Sequence, residues 1–529
     1  MARAPRRSDG SVVAFIDIGT YAMRLLLVRF NPNQSHTVLA ELREPVRLGL
    51  DEFQSNRLQP EAMARAELVA ARFAQMARAA GAHEIIAVAT SATREAANQR
   101  EFVRRLRDRA RLEVHVISGK EEARLVYLGV SRSLHLDGRT ALFIDIGGGS
   151  TEIAVGDDRD YRYLDSLKLG TIRLAQLFQL DRTARPLRAR EYAAVCDYVR
   201  SAAVRTIERL RPLRCGLAVG SSGTLRNLAA LASHRAGRPL GGADPYLRRA
   251  ELHDVARLLR STPLAERRAL PGLSPDRADV IVAGAAIIET LMDELAIDTL
   301  HTSRQGLRDG LLVDYVLRHQ APGAAIYGLS PRRRSVLLLG RACGFDEPHA
   351  ERVAALSLGL FDSAREADLH GYGAAERELL EYAALLHDIG VFLSFVNHQA
   401  HTYYLVRHAD LVGFDQTEIA TIAALARYHR KGRPRRAHPE CADLDGRSFG
   451  VVSRLFVLLR LAERLERSHH GVIRKATLRA VDDETVRLQL TAAGDCTLEV
   501  QAIEKDRRAF EKTFGRRLVV RHARVRGPA

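Results

Sequence analysis

Leu142-Phe-Ile-Asp-Ile-Gly-Gly-Gly-Ser-Thr-Glu-Ile-Ala-Val155 reads as an apolar strand, a glycine-rich turn and a second apolar strand. The same design stands near the start of the chain. There Val12-Val-Ala-Phe-Ile-Asp-Ile-Gly-Thr20 is followed by Leu25-Leu-Leu-Val28, and Phe-Ile-Asp-Ile-Gly is identical in both copies. Two related lobes are expected, each opened by an acidic hairpin. Around the hairpins the pattern alternates: helix over about 61–80, strand 85–89, helix about 94–109, strand 114–117, helix about 121–130. Such alternation predicts an α/β layer architecture. The second lobe continues through a strand at 217–219, the loop Gly220-Ser-Ser-Gly-Thr224 and helices to about Val316.

A boundary is expected next, because Ala321-Pro-Gly323 and Ser330-Pro-Arg-Arg-Arg334 read as charged loop. From about Ser335 to His470 apolar residues recur at three- and four-residue spacing, which predicts helices, and Lys475 to Val520 reads as strands and a helix. The expected division is 1–132 and 133–318 for the two lobes, 332–472 for a helical domain and 473–529 for a small α/β domain. A chain of 529 residues accommodates three or four domains at roughly 150 residues each.

With 46% hydrophobic and 27% charged residues the composition is globular, not disordered or fibrous. The net charge of +16, nearly all arginine, predicts attraction to polyanions without naming one, and a GC-rich coding sequence gives the same bias. Cys196, Cys215, Cys343, Cys441 and Cys496 are scattered, without zinc spacing or a disulfide framework, which fits a reducing cytosol. The basic start Met1-Ala-Arg-Ala-Pro-Arg-Arg7 makes a poor signal peptide, because Asp17 and Arg24 break the apolar run that follows. No stretch reaches the length of a membrane span. The expected location is cytoplasmic, with charge-driven contact at a membrane surface still open.

Acidic hairpins suit phosphate chemistry. Backbone N–H groups of Gly147, Gly148 and Gly149 can converge on phosphate oxygen, Ser150 and Thr151 add hydroxyls, and Asp145 and Glu152 offer hard oxygen ligands for Mg²⁺. Asp17, Gly19 and Thr20 would face them from the other lobe. Either hairpin alone is equally a tight acidic turn; their pairing is what argues for a site. Between them, Ser118-Gly-Lys-Glu-Glu-Ala-Arg124 leaves a strand and enters a helix carrying Glu121 and Glu122. Such residues are ordinary dipole partners, or a base able to take a proton from water attacking phosphorus. Arg94, after Thr90-Ser-Ala-Thr93, could clamp phosphate or be solvated. The loop Gly220-Ser-Ser-Gly-Thr224, with Ser222 and Gly223 at its centre, gives a further, individually weak, hydroxyl and amide array.

Taken together these residues resemble the exopolyphosphatase / guanosine pentaphosphate phosphohydrolase family. The matches are Asp17-Ile-Gly-Thr20, Ala89-Thr-Ser-Ala-Thr-Arg94, Ser118-Gly-Lys-Glu-Glu-Ala-Arg124, Asp145-Ile-Gly-Gly-Gly-Ser-Thr-Glu152, Gly220-Ser-Ser-Gly-Thr224 and Gly306-Leu-Arg-Asp-Gly310, in the family's order. Tyr21 departs from the asparagine common after the first turn. The resemblance implies a two-lobed actin/sugar-kinase-like (ribonuclease H-like) fold and Mg²⁺-dependent release of terminal phosphate. Glu122 is then the base with Glu121 as fallback, Asp145 and Glu152 the metal and water-positioning acids, and Gly147 to Ser150 the phosphate cradle.

The helical region resembles the HD-type domain of longer members. Leu386-His-Asp-Ile-Gly390 could set His387 and Asp388 on a metal with His349 as a third ligand, while Glu463 stands where an aspartate is usual. A binding and dimerisation unit is the reading preferred over a second phosphohydrolase centre, and a homodimer is expected. Asn397-His398, His401, His408 and Arg427-Tyr-His-Arg-Lys-Gly-Arg-Pro-Arg-Arg436, with His429, Arg430 and Lys431 at its centre, form a polybasic series. It resembles the polyphosphate path of long members, and is otherwise a solvated surface. The expected function is exopolyphosphatase, with guanosine pentaphosphate hydrolysis at the same site as the alternative. A non-catalytic polyphosphate or nucleotide sensor, a main activity in the helical domain, and a kinase remain open. No dedicated nucleic-acid partner is expected.

Overall fold

The computed structural model describes residues 10–524 apart from 34, 135, 137, 181–184, 239–244, 320–328, 410 and 412. The expected loop at Ala321-Pro-Gly323 and the basic start of the chain lie outside the described residues. The chain divides into two units, Met1–Pro331 and Arg332–Ala529. Among the described residues no helix is long and apolar enough to cross a membrane.

The internal echo becomes two sheets of one design. In the first, β1 (Ser11–Ile18), β2 (Ala22–Phe30) and β3 (His36–Pro45) form an antiparallel meander, and β4 (Ala82–Ala89) and β5 (Val114–Val116) add in parallel beside β1. In the second, β6 (Ala141–Ile146), β7 (Thr151–Gly156) and β8 (Tyr161–Leu167) repeat the meander. Beyond β6 lie β9 (Leu217–Ser221), β11 (Thr299–Ser303) and the edge strand β10 (Tyr246–Arg248). The central strands β1 and β6 are apolar on both faces because helices cover both, as parallel α/β sheets require.

Two of those helices cross over. Helix Gly119–Ser131 leaves β5 of the first sheet but packs on β6, β7 and β8, where Tyr127 meets Phe143 and Tyr161 edge-on at 5.5 and 5.8 Å. Helix Leu307–His319 leaves β11 but packs on β1, where Tyr315 stacks on Phe30 at 5.3 Å and meets Phe15 edge-on at 5.8 Å. The two helices cross in direct contact, and only glycine permits the approach. A Cβ on Gly310 would lie 1.9 Å from the Leu125 carbonyl oxygen, and one on Gly129 2.3 Å from that of Gly306.

The helix expected over 94–109 is broken into Ser91–Glu95 and Gln99–Ala110. Asn98 explains the break: its side chain accepts from Leu58 N at 2.9 Å and donates to Leu58 O at 3.0 Å, anchoring the junction to the neighbouring segment.

In the second unit, helices Pro331–Ala342, Glu347–Glu366, Ala374–Leu386, His398–Arg407, Gln416–Arg427 and Gly446–Leu465 precede a three-stranded sheet. That sheet pairs β12 (Ile473–Ala480) with β13 (Thr485–Ala492) antiparallel and β13 with β14 (Arg517–Arg524) in parallel, through helix Thr497–Phe514. The expected loop at 330–334 is corrected, because helix begins at Pro331. Proline suits the first helical turn, and Arg332 and Arg333 are taken up by Glu418 and Glu351 instead of solvent.

The helix crossing yields a stability test. Gly310→Ala is expected to cost about 1–3 kcal/mol by overpacking, read as a fall in Tm. Gly216→Ala, whose methyl meets nothing within 4 Å, should leave Tm nearly unchanged.

Candidate active site

Register places the acids. Directly opposed residues of an antiparallel pair share a face, and Asp17 is opposed by Arg24 while Asp145 is opposed by Glu152. Arg24 donates to Asp17 Oδ2 at 3.0 Å, so the first hairpin neutralises its acid. The second sets two carboxylates face to face, a repulsive pair. Hydroxyls relieve it in part: Ser221 donates to Asp145 Oδ1 and Ser166 to Glu152 Oε1, each at 2.9 Å. Asp17 Oδ1 and Glu152 Oε2 are buried without a hydrogen-bond partner.

Glu122 joins these acids from the first turn of the crossing helix. Ser118 caps that turn, accepting from Glu121 N at 3.1 Å. Arg94 donates to Glu122 Oε2 at 2.9 Å and to Ile117 O at 3.0 Å, tying the carboxylate to the end of β5. Burial raises the Glu122 carboxyl to about 7; Arg94 opposes the rise, and the charges of Asp17 and Asp145 add to it. Burial also lifts Glu152 well above the usual range, with Glu122 and Asp145 adding, and raises Asp17 and Asp145. Glu122 thus feels the charges of Asp17 and Asp145, Glu152 those of Glu122 and Asp145, and Asp145 that of Asp17.

Several expectations are corrected by this geometry. Glu121 does not face the acids: Arg124 grips it through two hydrogen bonds of 2.9 and 2.7 Å and links it to Asp314 at 2.8 Å. Arg94 is spent on Glu122 and the chain behind it, which makes it a support for the carboxylate before any role as a phosphate clamp. Thr151 Oγ1 donates to Leu169 O at 2.6 Å from a fully buried position, so its hydroxyl holds the strand. Gly147 N–H closes the turn on Ser150 O at 2.9 Å, and Gly19 N–H closes its own on Ala22 O at 3.2 Å. The amides of Gly147 and Gly19 are thus used within their turns.

Other expected residues do come together. The carbonyls of Gly147 and Gly148 accept from Thr171 and Ile172 at the start of helix Thr171–Leu177, at 3.0 and 2.9 Å. Gly148 and Gly149 touch the opposite lobe: added Cβ atoms would lie 2.9 Å from Thr20 Cγ2 and 2.6 Å from Ser91 Oγ. Thr20 Oγ1 accepts from Ala92 N at 3.2 Å, joining the first acidic turn to the helix that carries Arg94. Ser222 caps helix Gly223–Arg235, accepting from Leu225 N at 3.3 Å, with a strained φ of 113°. Gly223 leaves room for the Arg277 guanidinium, 2.3 Å from where a Cβ would sit.

Ser166 and Arg24 are site residues that the sequence reading does not single out, and Ser221 enters it only within the Gly220–Thr224 loop. Strand alternation next to Asp145 and Asp17 was the available signal for Ser221 and Arg24. Tyr21, the departure from the family pattern, bridges the lobes: its hydroxyl donates to Asp276 O at 2.5 Å, and its ring lies 5.0 Å from the Arg277 guanidinium. Glu95 is a second bridge, bonded by Arg173 at 2.7 Å and paired with Lys168 at 3.0 Å.

In the second unit, His349, His387, Asp388 and Glu463 converge, with one ligand atom from each lying within 4.8 Å of the others. Asp388, His398 and His429 form a similar set. That corrects the polybasic series: His429 is fully buried and His398 is 2% exposed, both turned onto Asp388. Lys431 stays exposed and Arg430 is partly buried.

The cleft set Asp17, Asp145 and Glu152 is all oxygen, with two buried oxygens unpartnered, which fits a hard divalent cation such as Mg²⁺.

A curated Vibrio vulnificus protein, guanosine-5'-triphosphate,3'-diphosphate pyrophosphatase, is 30% identical over 458 residues, covering 86% of each chain. The crystal structure of an exopolyphosphatase from Cytophaga hutchinsonii aligns with a TM-score of 0.53 at 25% identity, covering 58% of this chain and 97% of that one. Residues 332–506 match the Ppx/GppA phosphatase, domain III. Residues 28–319 match the Ppx/GppA phosphatase family itself, and the chain belongs to that family of phosphoric anhydride hydrolases.

Proposed function

We propose that the cleft removes terminal phosphate from inorganic polyphosphate by attack of water, with Glu122 as the base. The observation that carries this reading is the Glu122 carboxylate, buried, bonded to Arg94, and within charge range of Asp17 and Asp145. A carboxyl lifted to about 7 is poised to take a proton near neutral pH. As the water oxygen bonds to the terminal phosphorus, its proton passes to Glu122 and the anhydride P–O bond breaks, leaving a chain shortened by one phosphate. Arg94 and Ser118 hold the carboxylate in line, and the turn at Gly148, Gly149 and Ser150 positions the phosphate oxygens. Mg²⁺ held by Asp145 and Glu152, beside Asp17, would neutralise charge on those oxygens. The net charge of +16 favours a polyanionic substrate.

A second reading, conversion of guanosine pentaphosphate to tetraphosphate at the same acids, is favoured by the Vibrio vulnificus relative and its 86% coverage. Orthophosphate release from polyphosphates of rising length, set against guanosine pentaphosphate, separates the two. Turnover that grows with chain length is expected, and a flat profile with faster nucleotide hydrolysis would move the second reading ahead.

Glu122→Gln is expected to lower kcat by about 10²- to 10⁴-fold, the usual range for losing a general base, while polyphosphate binding persists. Near-normal turnover in this variant would remove Glu122 from the mechanism.

The same carboxyl affects stability. Its folded pKa of about 7 lies above the ordinary 4.5, so its contribution is full below pH 4.5 and is lost as pH rises through about 7. In metal-free protein, wild type should lose Tm relative to Glu122→Gln across that window. Mg²⁺ should restore more Tm at pH 8 than at pH 5, and parallel profiles would contradict the buried-acid account.

A further inference from the structure

Seven consecutive residues of the second unit, Val391-Phe-Leu-Ser-Phe-Val-Asn397, are exposed, and five of them are apolar. Phe392 is 61% exposed, Leu393 53%, Phe395 66% and Val396 77%. A single exposed apolar side chain is ordinary, but an uninterrupted run of them is not. Contiguous apolar surface of this kind marks a place of contact with something other than water.

The run is held out by a closed base. Gly390 N–H donates to Thr402 Oγ1 at 2.9 Å, and Thr402 Oγ1 donates to His387 O at 2.9 Å, which ties the start of the run to helix His398–Arg407. A Cβ on Gly390 would lie 2.1 Å from His398 O, so the two ends of the loop touch. Within it Val391 N–H donates to Asp388 O at 3.0 Å, Leu393 N–H to Gly390 O at 3.1 Å and Val396 N–H to Ser394 Oγ at 3.2 Å. Asn397, with a φ of 59°, turns the chain back into the helix. These N–H groups are satisfied inside the loop, as entry into an apolar medium requires.

Cations flank the tip. The Arg430 guanidinium lies 5.3 Å from the centre of the Phe395 ring. The exposed Arg467 lines one cavity with Phe392 and Phe395, where Asp346 is the exposed acid, and the exposed Lys431 lines another with Gln399, just past the end of the run. We propose that this tip inserts into the surface of an anionic lipid bilayer, with Phe392, Leu393, Phe395 and Val396 below the headgroups and Arg430, Lys431 and Arg467 at the level of the phosphates. Apolar side chains bury area at the acyl boundary while flanking cations meet anionic headgroups, the two contributions that hold interfacial anchors. A second copy of the chain is the competing occupant, and a stable dimer needs a self-complementary face of about 20–30 residues a side. Side chains more than half exposed over so short a run form a convex tip too small for that, whereas a fluid bilayer imposes no shape. Anchoring at this tip is independent of the chemistry of the cleft.

The chain contains no tryptophan, so Phe395→Trp places a single indole at the tip of the full-length protein. With vesicles of phosphatidylcholine and phosphatidylglycerol in equal parts, its emission should move to shorter wavelength and be quenched by lipids brominated along the acyl chains. Vesicles of phosphatidylcholine alone should give a much weaker response at the same lipid concentration. Phe392→Ser with Leu393→Ser in that background should weaken binding about 100-fold or more, since two apolar side chains return to water. Circular dichroism should stay unchanged, because both residues are exposed. Lys431→Gln with Arg467→Gln should weaken binding about 20-fold, roughly 5-fold for each cation. Cosedimentation of the unsubstituted chain with the same vesicles repeats the measurement without the reporter. Emission and sedimentation unaffected by anionic vesicles would overturn the proposal. So would an indole shielded before lipid is added, by the chain itself if the emission ignores protein dilution and by a second copy if it follows dilution. Equal binding to the two kinds of vesicle would overturn the choice of an anionic surface.

Discussion

Like charges drawn out of water set the terms for the catalytic unit. Strand register forces Asp145 opposite Glu152, the echo of that hairpin brings Asp17 across the cleft, and a crossing helix inserts Glu122. Each acid is individually costly to bury. Arg24, Arg94, Ser221 and Ser166 each relieve one carboxylate without neutralising the group, so a cation has a defined electrostatic task there. The glycine turns, the inter-lobe bridges at Tyr21 and Glu95, and the close helix crossing all keep these groups at their spacing.

The sheets were legible because β1 and β6 are unbroken apolar strands ending in the same Asp-Ile-Gly turn, a local signal that packing has no reason to override. The choice between Glu121 and Glu122 was not legible. Adjacent helical residues differ by about 100° in direction, and only the distant Asp314, through Arg124, shows which one is drawn away. The break before Gln99 was hidden for a similar reason, since the partner of Asn98 is Leu58, far off in sequence. Pro331 reads as a loop marker in the sequence and opens a helix in the fold, a distinction that rests on the acids waiting for Arg332 and Arg333.

The histidines of the second unit show the same limit from another side. In sequence His398 and His429 sit among arginines and read as part of a cationic stripe, yet each turns inward because Asp388 offers an interior anion and a backbone carbonyl fixes the ring. Glu463, longer than the aspartate usual at its position, still reaches both His349 and His387. Charge counting along a chain cannot tell a surface run from a buried histidine cluster, because the deciding contacts lie tens of residues away.

The exchange of helices between the two sheets also bears on how the chain matures during synthesis. One face of β1 is covered by Leu307–His319, so the lobe whose sheet is made first stays unfinished until some three hundred residues have been translated. A nascent polypeptide in that interval exposes Phe15 and Phe30 without Tyr315. Long-range closure of this kind slows maturation and exposes aggregation-prone surface, so the ribosome-bound intermediate is a natural client for a chaperone.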